Sequence, residues 1–204
     1  MDLRVEAVPE FSTHWGVGLS VVTSDNYLVF SRRGRTAVGA HTFYPSVAES
    51  ADRVADSDSA GAPKHFNIAR RGVEEELGIP LLPKELTWLS FGANSVLCEF
   101  ALIGVVHTSS TFDEIVKLRE SAKDKWESEA LHAVKFRPRD VAEFLSQKNN
   151  RFSPFAIIAV FETLIHEFGL IDTEAAFIDA DVSVTQQLPE WMTDNFLASK
   201  LREF

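Results

Sequence analysis

Two adjacent glutamates, Glu75 and Glu76, have the clearest capacity for chemistry in this sequence. If both carboxylates point at one spot, they repel each other unless a cation lies between them. A hard divalent ion such as Mg²⁺ or Mn²⁺ takes oxygen ligands and commonly binds through one or two carboxylates. Arg71, four residues before Glu75, can pair with it and fix its rotamer. The alternative is that this acidic run is only the solvated face of a surface helix.

The helix that would position these glutamates spans residues 65–77. Its apolar residues recur at steps of three and four and so share one face: Phe66, Ala69, Val73 and Leu77. Gly78 is a natural helix stop, and Pro80 prevents the helix from continuing. We therefore expect Glu75 and Glu76 to point at one spot on the face that is not buried, with Glu74 in solvent.

Strands and helices alternate irregularly around this helix. The predicted strands are 15–23, 27–31, 41–47, 86–91, 95–106 and 130–136, and the other predicted helices are 111–122, 138–147 and 153–168. The first two strands form a hairpin, and residues 50–64 read as a polar loop. Without a regular strand–helix repeat, the pattern indicates a mixed α/β or α+β domain whose helices cover the sheet.

Length, charge and cysteine content restrict the class of protein. The chain has 204 residues, 45% hydrophobic and 25% charged, which suits a single domain with a sizeable core. The net charge of −10 argues against a general nucleic-acid binder. One cysteine, Cys98, allows no disulfide within the chain and suits a reducing, cytoplasmic location. No apolar run is long enough for a membrane span, so no membrane partner is expected.

The stretch ARRGVEEELGIP contains a recognisable motif. Its residues 71–79, RGVEEELGI, resemble the second half of the Nudix box, G-x5-E-x7-R-E-U-x-E-E-x-G-U, where U is a bulky aliphatic residue. The opening hairpin WGVGLSVVTSDNYLVFSRRGR and the strand ANSVLCEFALIGVV are also similar to that family. The resemblance implies an α/β (α+β) fold, a Nudix-like mixed β-sheet sandwiched between helices. We expect one domain over residues 1–204, with a core at about 12–170 and a C-terminal extension at 171–204. The extension is expected to dock on the core through its apolar residues Phe177, Ile178, Trp191, Met192, Phe196 and Leu197.

Two departures from the family's motif affect the expected metal site. Gly72 stands where the family has a glutamate that is commonly a metal ligand, and Pro45-Ser46 stands where the family has two glycines. Glu49 follows at a plausible place for the motif's earlier glutamate. Ser46 and Arg71 are 25 positions apart, roughly eleven more than the matching positions of the motif, which predicts a lengthened loop beside the site.

The resemblance implies a pyrophosphohydrolase, dependent on Mg²⁺ or Mn²⁺, that acts on a nucleoside diphosphate linked to another moiety such as a sugar. The implied metal ligands are Glu75, Glu76 and Glu49, with Glu99, Asp56, Asp58 or water as other replacements for the missing carboxylate. The candidate catalytic residues are Glu76, Glu75, Arg71, Glu129, Glu127 and Glu99, and the candidate substrate-binding residues are Arg32, Arg33, Arg35 and Tyr44. Many relatives pair, so a homodimer is among the expected forms.

Two other interpretations stay open from the sequence. Gly72 favours a Nudix fold that has lost catalysis and binds a nucleotide-like ligand as a sensor or structural module. The nine-residue match could also have arisen by chance in an unrelated α/β protein. Individual candidates also have structural alternatives: a solvent-facing strand position for Glu99, a polar loop for Glu127 and Glu129, and a polar hairpin end for the arginines.

Overall fold

The computed structural model describes residues 14–35, 40–94 and 99–182. Its strands are β1 (His14–Val22), β2 (Tyr27–Arg33), β3 (Phe43–Tyr44), β4 (Val47–Ser50), β5 (Leu86–Asn94), β6 (Glu99–His107) and β7 (Ser128–Lys135). Its helices are α1 (His65–Gly72), α2 (Phe112–Arg119), α3 (Pro138–Leu145), α4 (Pro154–Phe168) and α5 (Leu170–Asp179). Helix α1 continues into one π turn, Val73–Leu77. No helix in these ranges has both the length and the apolarity needed to cross a membrane.

The seven described strands form one mixed sheet around β1. Strand β6 runs parallel to β1 along its whole length, and β5 pairs antiparallel with β6. The opposite edge of β1 is shared by two antiparallel neighbours: β4 pairs with its first half and β2 with its last residues. Strand β2 also pairs with β3 and β7. This shared edge places β4 beside β1 and next to helix α1.

Alternating side chains on the central strands divide the core into two layers. The first layer lies between the sheet and the elements α1, π turn and α2; its members include Val17, Leu19, Val21, Val29, Ile68, Ala69, Val73, Leu77 and Ile115. The second lies between the sheet and helices α3 and α4; its members include Val22, Leu28, Phe30, Phe43, Val105, Val141, Leu145, Ile157, Val160 and Leu164. The predicted class, a mixed sheet between helices, is therefore confirmed.

The strand predicted over residues 41–47 is divided into β3 and β4 by Pro45-Ser46. The side chain of Ser46 is fully buried and replaces ladder hydrogen bonds at this point. Its hydroxyl accepts the N–H of Val21 at 2.7 Å and donates to the carbonyl of Val29 at 2.5 Å. The chain can therefore break here without leaving buried backbone groups unpaired, and β4 starts a new pairing with β1.

Helix α5 was not predicted, because its apolar residues do not keep to one face. Ile171 and Ile178 are largely exposed, whereas the ring of Phe177 packs against Phe161 of α4 with 5.0 Å between centroids. This packing attaches the start of the C-terminal extension to the second core layer. The remaining residues expected to dock, Trp191, Met192, Phe196 and Leu197, lie outside the described ranges.

Candidate metal and phosphate site

The π turn gives the three glutamates three different environments. Its i→i+5 hydrogen bonding widens the helix and rotates the side chains that follow, a feature often found at functional sites. Glu74 is exposed, as predicted, Glu75 is half-buried, and Glu76 is only 4% exposed. Gly78, in the left-handed conformation with φ of 72°, ends the turn as predicted.

Glu75 and Glu76 do not share a partner. Glu75 accepts hydrogen bonds from Arg71 Nη1 at 3.2 Å and from Lys123 Nζ at 2.5 Å. Glu76 instead accepts the backbone N–H of Ala48 on β4 at 3.0 Å. The expectation of two carboxylates on one open face is therefore wrong for Glu76, which the π turn directs into the protein. Within the described ranges, no group of three or more His, Cys, Asp or Glu side chains is already arranged to hold a metal ion.

Gly72 allows Glu49 of β4 to pack directly against the helix. A Cβ atom on Gly72 would lie 2.7 Å from Glu49 Cβ and 2.9 Å from Val47 Cγ1, which is too close for non-bonded carbon atoms. On its other side, the backbone of Glu49 faces Gly16 of β1, where a Cβ would lie 2.2 Å from the Glu49 carbonyl oxygen. The Cβ and Cγ atoms of Glu49 thus fill the space beside position 72, and the Glu49 carboxylate reaches Arg71 Nη1 at 3.0 Å.

Oxygen atoms surround the guanidinium of Arg71. Its Nε and Nη2 contact the two carboxylate oxygens of Asp56 at 3.0 and 2.9 Å, and Nη2 also donates to the Ser50 carbonyl at 2.6 Å. Its Nη1 contacts Glu49 at 3.0 Å and Glu75 at 3.2 Å. These oxygens match the five N–H bonds of a guanidinium. The hydrogen bonds to Asp56 are the main reason why the pKa of Arg71 is raised. Arg71 therefore engages both carboxylate oxygens of Asp56, whereas it contacts only one oxygen each of Glu49 and Glu75.

Glu76 is a buried acid in a region of like charge. Burial raises its pKa to about 8, against the opposing influence of the Arg33 charge and of the Ala48 N–H. The carboxylates of Glu49 and Glu127 raise the pKa further. A cation close to this group would relieve the repulsion among the three carboxylates and favour the ionised form of Glu76.

Glu49 and Glu75 differ in how far neighbouring positive groups compensate the burial of their carboxylates. Burial raises the pKa of Glu49 even though Arg71 opposes the shift. For Glu75, burial also acts to raise the pKa, but hydrogen bonds from Lys123 and Arg71 outweigh it and the pKa is lowered. Glu75 is thus ionised and paired, whereas Glu49 is a carboxylate whose charge is incompletely compensated.

A second group of charges lies where β2 ends opposite β7. Arg33 donates to Glu127, and its guanidinium lies 4.7 Å from the centre of the Tyr44 ring. Arg32 Nε contacts Glu129 Oε1 at 3.1 Å. The structure therefore brings together two predicted phosphate-binding arginines, the predicted aromatic residue and both predicted acids from the segment before β7.

Three other sequence candidates are less closely connected with these groups. Arg35 is exposed at the end of the hairpin. Asp58 serves the loop that contains it, because it accepts the backbone N–H groups of Ala60 and Ala62 and contacts Lys64 at 2.9 Å. The backbone of Glu99 begins β6, but its side chain lies outside the part of the chain that the structure describes.

Two basic residues belong to the site although no sequence pattern predicted them. Lys123 contacts Glu75 across 48 positions of the chain. Arg119 of α2 donates to the Lys125 carbonyl and to the Ser128 hydroxyl, each at 2.7 Å, and so holds the segment that enters β7. Burial lowers the pKa of Arg119 while the charge of Glu76 opposes that shift. Neither residue belongs to a spacing motif, so only the folded arrangement could identify them.

Comparison with known proteins finds solved structures that are similar to this chain in fold. No family model and no curated protein matches the chain. The crystal structure of DR0079 from Deinococcus radiodurans is similar with a TM-score of 0.50 at 13% identity, over 78% of this chain and 88% of that chain. The MutT Nudix hydrolase from Burkholderia pseudomallei has a TM-score of 0.49 at 18% identity, over 74% and 97% of the two chains. The E. coli ORF135 protein has 0.49 at 13% identity, over 79% and 95%. At these identities the likeness concerns the fold alone, and the mixed sheet between helices that the Nudix resemblance predicted is the fold observed here.

Proposed function

With a Nudix-like fold as the framework, we propose that this protein hydrolyses the diphosphate bond of a nucleoside diphosphate linked to another moiety, using Mg²⁺ or Mn²⁺. The observation that carries the proposal is the packing of Glu49 against Gly72. The helix lacks a side chain where the family commonly has a metal ligand, and the Cβ and Cγ atoms of Glu49 pack against that position, with the carboxylate at Arg71. In this proposal Glu49 of the strand is the ligand that takes the place of the missing helix carboxylate.

The available donors suit a hard divalent ion in their chemistry. Glu49, Glu75 and Glu76 offer carboxylate oxygens, which Mg²⁺ and Mn²⁺ prefer. Glu75 would have to exchange Lys123 for the ion, and this exchange costs little because the Lys123 side chain is 71% exposed. When bound, the ion would neutralise charge on the diphosphate and lower the pKa of the attacking water.

The arginines of the hairpin end are suited to the phosphate groups of the substrate. A guanidinium can donate two parallel N–H groups to phosphate oxygens. Arg33 is held for this role by the ring of Tyr44 and by Glu127. Arg32 pairs with Glu129 and is more exposed, with 40% of its side chain accessible. Arg33 therefore contacts the substrate close to the acidic residues, and Arg32 contacts it farther out.

Glu127 is the preferred candidate for the general base. A base must come within hydrogen-bonding reach of the water that it deprotonates. Its charge acts on both Glu49 and Glu76, which places it at the acidic group. Glu129 instead contacts Arg32 and His41 at the outer side of the hairpin. The base and the phosphate-binding Arg33 then belong to one ion pair, which substrate binding would separate.

A second candidate function is a domain that binds a nucleotide-like ligand without hydrolysing it. Two observations favour it. The described ranges contain no ready-made group of three metal-binding side chains, and the ammonium of Lys123 already supplies positive charge at Glu75. In that case Arg71 and Lys123 would be the permanent counter-charges of the acidic group, and Gly72 would serve only the packing of β4.

Two further predictions concern the setting in which the protein works. A homodimer and a cytoplasmic location both stay predictions, because no contact within the described ranges bears on either of them. The single cysteine, Cys98, on which the argument for a reducing location depends, lies outside those ranges. Analytical ultracentrifugation of the protein at micromolar concentration would test the homodimer. Determining where the protein lies in its own cell would test the cytoplasmic location.

The test is hydrolysis by the purified protein with Mg²⁺ or Mn²⁺ across a panel of nucleotide sugars, ADP-ribose, dinucleoside polyphosphates and nucleoside triphosphates. We expect turnover of at least one diphosphate and a loss of about 100-fold or more in Glu76→Gln and Glu75→Gln. Glu74→Gln is the matched control, because this exposed neighbour lies on the same turn, and its activity should be unchanged.

Each other outcome has a defined meaning. Absence of turnover together with absence of Mn²⁺ binding at millimolar concentration would contradict the enzyme proposal. Thermal stabilisation by one of the panel compounds without turnover would support the second candidate function. Turnover that is equal in Glu74→Gln and Glu76→Gln would exclude the acidic turn as the site.

A further inference from the structure

Asp56 is a fully buried carboxylate in a loop that is otherwise mostly exposed. The loop comprises residues 51–64 and is called the insert loop, because it contains the residues by which the chain exceeds the family's motif. Val54, two residues before Asp56 in the chain, is 88% exposed, whereas Asp56 is 0% exposed. A buried charge of this kind is retained only when a partner compensates it.

The insert loop closes around Asp56 through the backbone. The Asp56 N–H donates to the Asp52 carbonyl at 3.0 Å, and its own carbonyl accepts from the Lys64 N–H at 2.9 Å and from Asn67 Nδ2 at 3.0 Å. The Asp52 N–H donates to Asp56 Oδ2 at 2.7 Å. Both ends of the loop are thus tied to this one residue, which fixes where its carboxylate points.

The carboxylate of Asp56 determines the orientation of the Arg71 guanidinium. It accepts from Nε and Nη2 at 3.0 and 2.9 Å, the paired geometry that fixes both the plane and the direction of a guanidinium. The remaining nitrogen, Nη1, then points at Glu49 and Glu75. Asp56 touches neither of these glutamates in the described contacts, so it acts on them only through Arg71.

Asp56 also compensates the charge of Arg71. Without Asp56, the guanidinium would be neutralised by Glu49 and Glu75, and these carboxylates would attract a divalent ion less strongly. With Asp56, the positive charge has a partner of its own, and the two glutamates keep their net negative charge. The orienting effect and the charge effect both favour cation binding at Glu49 and Glu75.

We infer that Asp56 is a positioning residue, through which the insert loop orients Arg71 and keeps Glu49 and Glu75 available to a divalent cation. This inference rests on the proposed function, since it concerns the same metal ligands. It gives the insert loop a definite role: it is the outer support of the metal site. Residues that orient the ligands of a metal commonly affect its affinity by about 10- to 100-fold.

The test compares Mn²⁺ binding by the full chain and by Asp56→Asn, measured through the electron paramagnetic resonance signal of free Mn²⁺. We expect Asp56→Asn to bind about 10- to 100-fold more weakly. The matched control is Asp58→Asn, which removes the same charge from the same loop at a residue that does not touch Arg71. Its affinity should stay within about threefold of wild type.

A second measurement in the metal-free protein separates positioning from general loss of structure. The Nε–H signal of Arg71 in a ¹⁵N-correlated NMR spectrum should exchange with water at least about tenfold faster in Asp56→Asn, and at the wild-type rate in Asp58→Asn. If Asp56→Asn does not fold, Asp56→Glu takes its place. That variant keeps the negative charge but moves the carboxylate by one methylene group, so it should bind Mn²⁺ more weakly than wild type.

The outcomes distinguish this inference from the proposed function. If wild type binds Mn²⁺ and Asp56→Asn binds it equally well, the inference is overturned while the proposed function stands. If wild type does not bind Mn²⁺, both are overturned. Equal weakening in Asp56→Asn and Asp58→Asn would show a simple effect of loop charge, and this result would also reject the positioning role.

Discussion

Two groups of ion pairs lie side by side in this protein, and they differ in charge balance. The Arg71 group consists of Arg71, Lys123, Glu49, Asp56 and Glu75, so two cations face three carboxylates. The hairpin group consists of Arg32, Arg33, Glu127 and Glu129, so two cations face two carboxylates. The buried Glu76 lies between the two groups and responds to the charges of both Arg33 and Glu49.

The difference indicates a division of tasks between the two groups. The Arg71 group has more negative charge than its own cations compensate, and it also contains the fully buried Asp56. Such a group favours an added cation. The hairpin group is balanced, and releasing a glutamate to meet an anion would cost less at Arg32 than at Arg33, which is only 12% exposed. A metal ion bound at the Arg71 group and a phosphate bound at the hairpin group would balance each other's charge.

The largest effect is expected from returning the missing carboxylate to the helix. Gly72→Glu should lower the free energy of unfolding by about 1–3 kcal/mol, because the new Cβ collides with Glu49 and Val47. Combining it with Glu49→Gly removes the atoms of Glu49 that collide, so the double variant should be more stable than Gly72→Glu alone. With a carboxylate returned to the helix, it should also bind Mn²⁺ more tightly than Glu49→Gly. Urea unfolding and Mn²⁺ titration measure the two effects.

The control for this exchange is Gly92→Ala in β5. There a Cβ would meet no atom closer than 3.9 Å, so stability should change little. Additive effects of Gly72→Glu and Glu49→Gly in the double variant would contradict the idea that the two side chains compete for one space.

The second prediction concerns stability and pH in buffers free of divalent ions. The pKa of Glu76 is raised from its ordinary value of 4.5 to about 8 by burial. Between these values the folded state binds more protons than the unfolded state, so the free energy of unfolding should fall as pH rises from about 5 to 8. Glu76→Gln should remove most of this fall, which is on the order of a few kcal/mol. Urea unfolding at pH 5, 7 and 9 measures it.

Glu74→Gln serves as the control for the pH experiment, because it changes an exposed charge on the same turn and should leave the slope unchanged. Parallel stability curves for wild type and Glu76→Gln would mean that Glu76 does not carry the pH dependence. Added Mn²⁺ should stabilise wild type most strongly above pH 8, where Glu76 is ionised.

The third prediction compares the two arginines of the hairpin group. Arg33→Met should cost about 1–3 kcal/mol of stability, because Arg33 is 12% exposed and its removal leaves Glu127 uncompensated near Glu49 and Glu76. Arg32→Met should cost less than about 1 kcal/mol, since its pair with Glu129 is more exposed than the pair of Arg33 with Glu127. Thermal unfolding of both variants measures the two losses of stability. Equal losses would contradict the distinction between Arg33 and Arg32.

The smallest effect on stability is expected for Lys123→Ala. The Lys123 side chain is 71% exposed, so its ion pair with Glu75 should contribute less than about 0.5 kcal/mol. Mn²⁺ affinity should nevertheless rise several-fold, because Glu75 no longer has to release an ammonium. Lys117→Ala, an exposed lysine on α2, is the control for a general change in charge. Unchanged affinity in Lys123→Ala would show that Lys123 does not compete with the ion.

Elements with strong local signals were predicted well from the sequence. The first hairpin, the helix ending at Gly78 and helix α4 all agree with their apolar spacing and their turn residues. Helix α2 likewise begins beside residue 111, the predicted start, and the structure shows a capping box of Thr111 and Glu114 there. These features depend on residues a few positions apart, whose contacts are the same in almost any fold.

The parts of the site that were not predicted depend on contacts between distant positions. Asp56 and Arg71 are 15 positions apart, and Lys123 and Glu75 are 48 apart. The insert loop reads only as a polar loop, because nothing local distinguishes the buried Asp56 from the exposed Asp52. The π turn was missed for a related reason, since an ordinary helix and a π turn share the same apolar spacing over so few residues.

The sequence by itself determined that Arg71, Glu75 and Glu76 belong to one helical segment that ends at Gly78, because short-range spacing dictates which residues a helix brings together. It also showed that position 72 has no carboxylate. Only the tertiary structure decided which side chain packs against position 72. Strand β4 places Glu49 between Gly16 and Gly72, where neither neighbour has a side chain to exclude it. That position follows from sheet pairing between residues far apart in the chain, and close packing makes it possible.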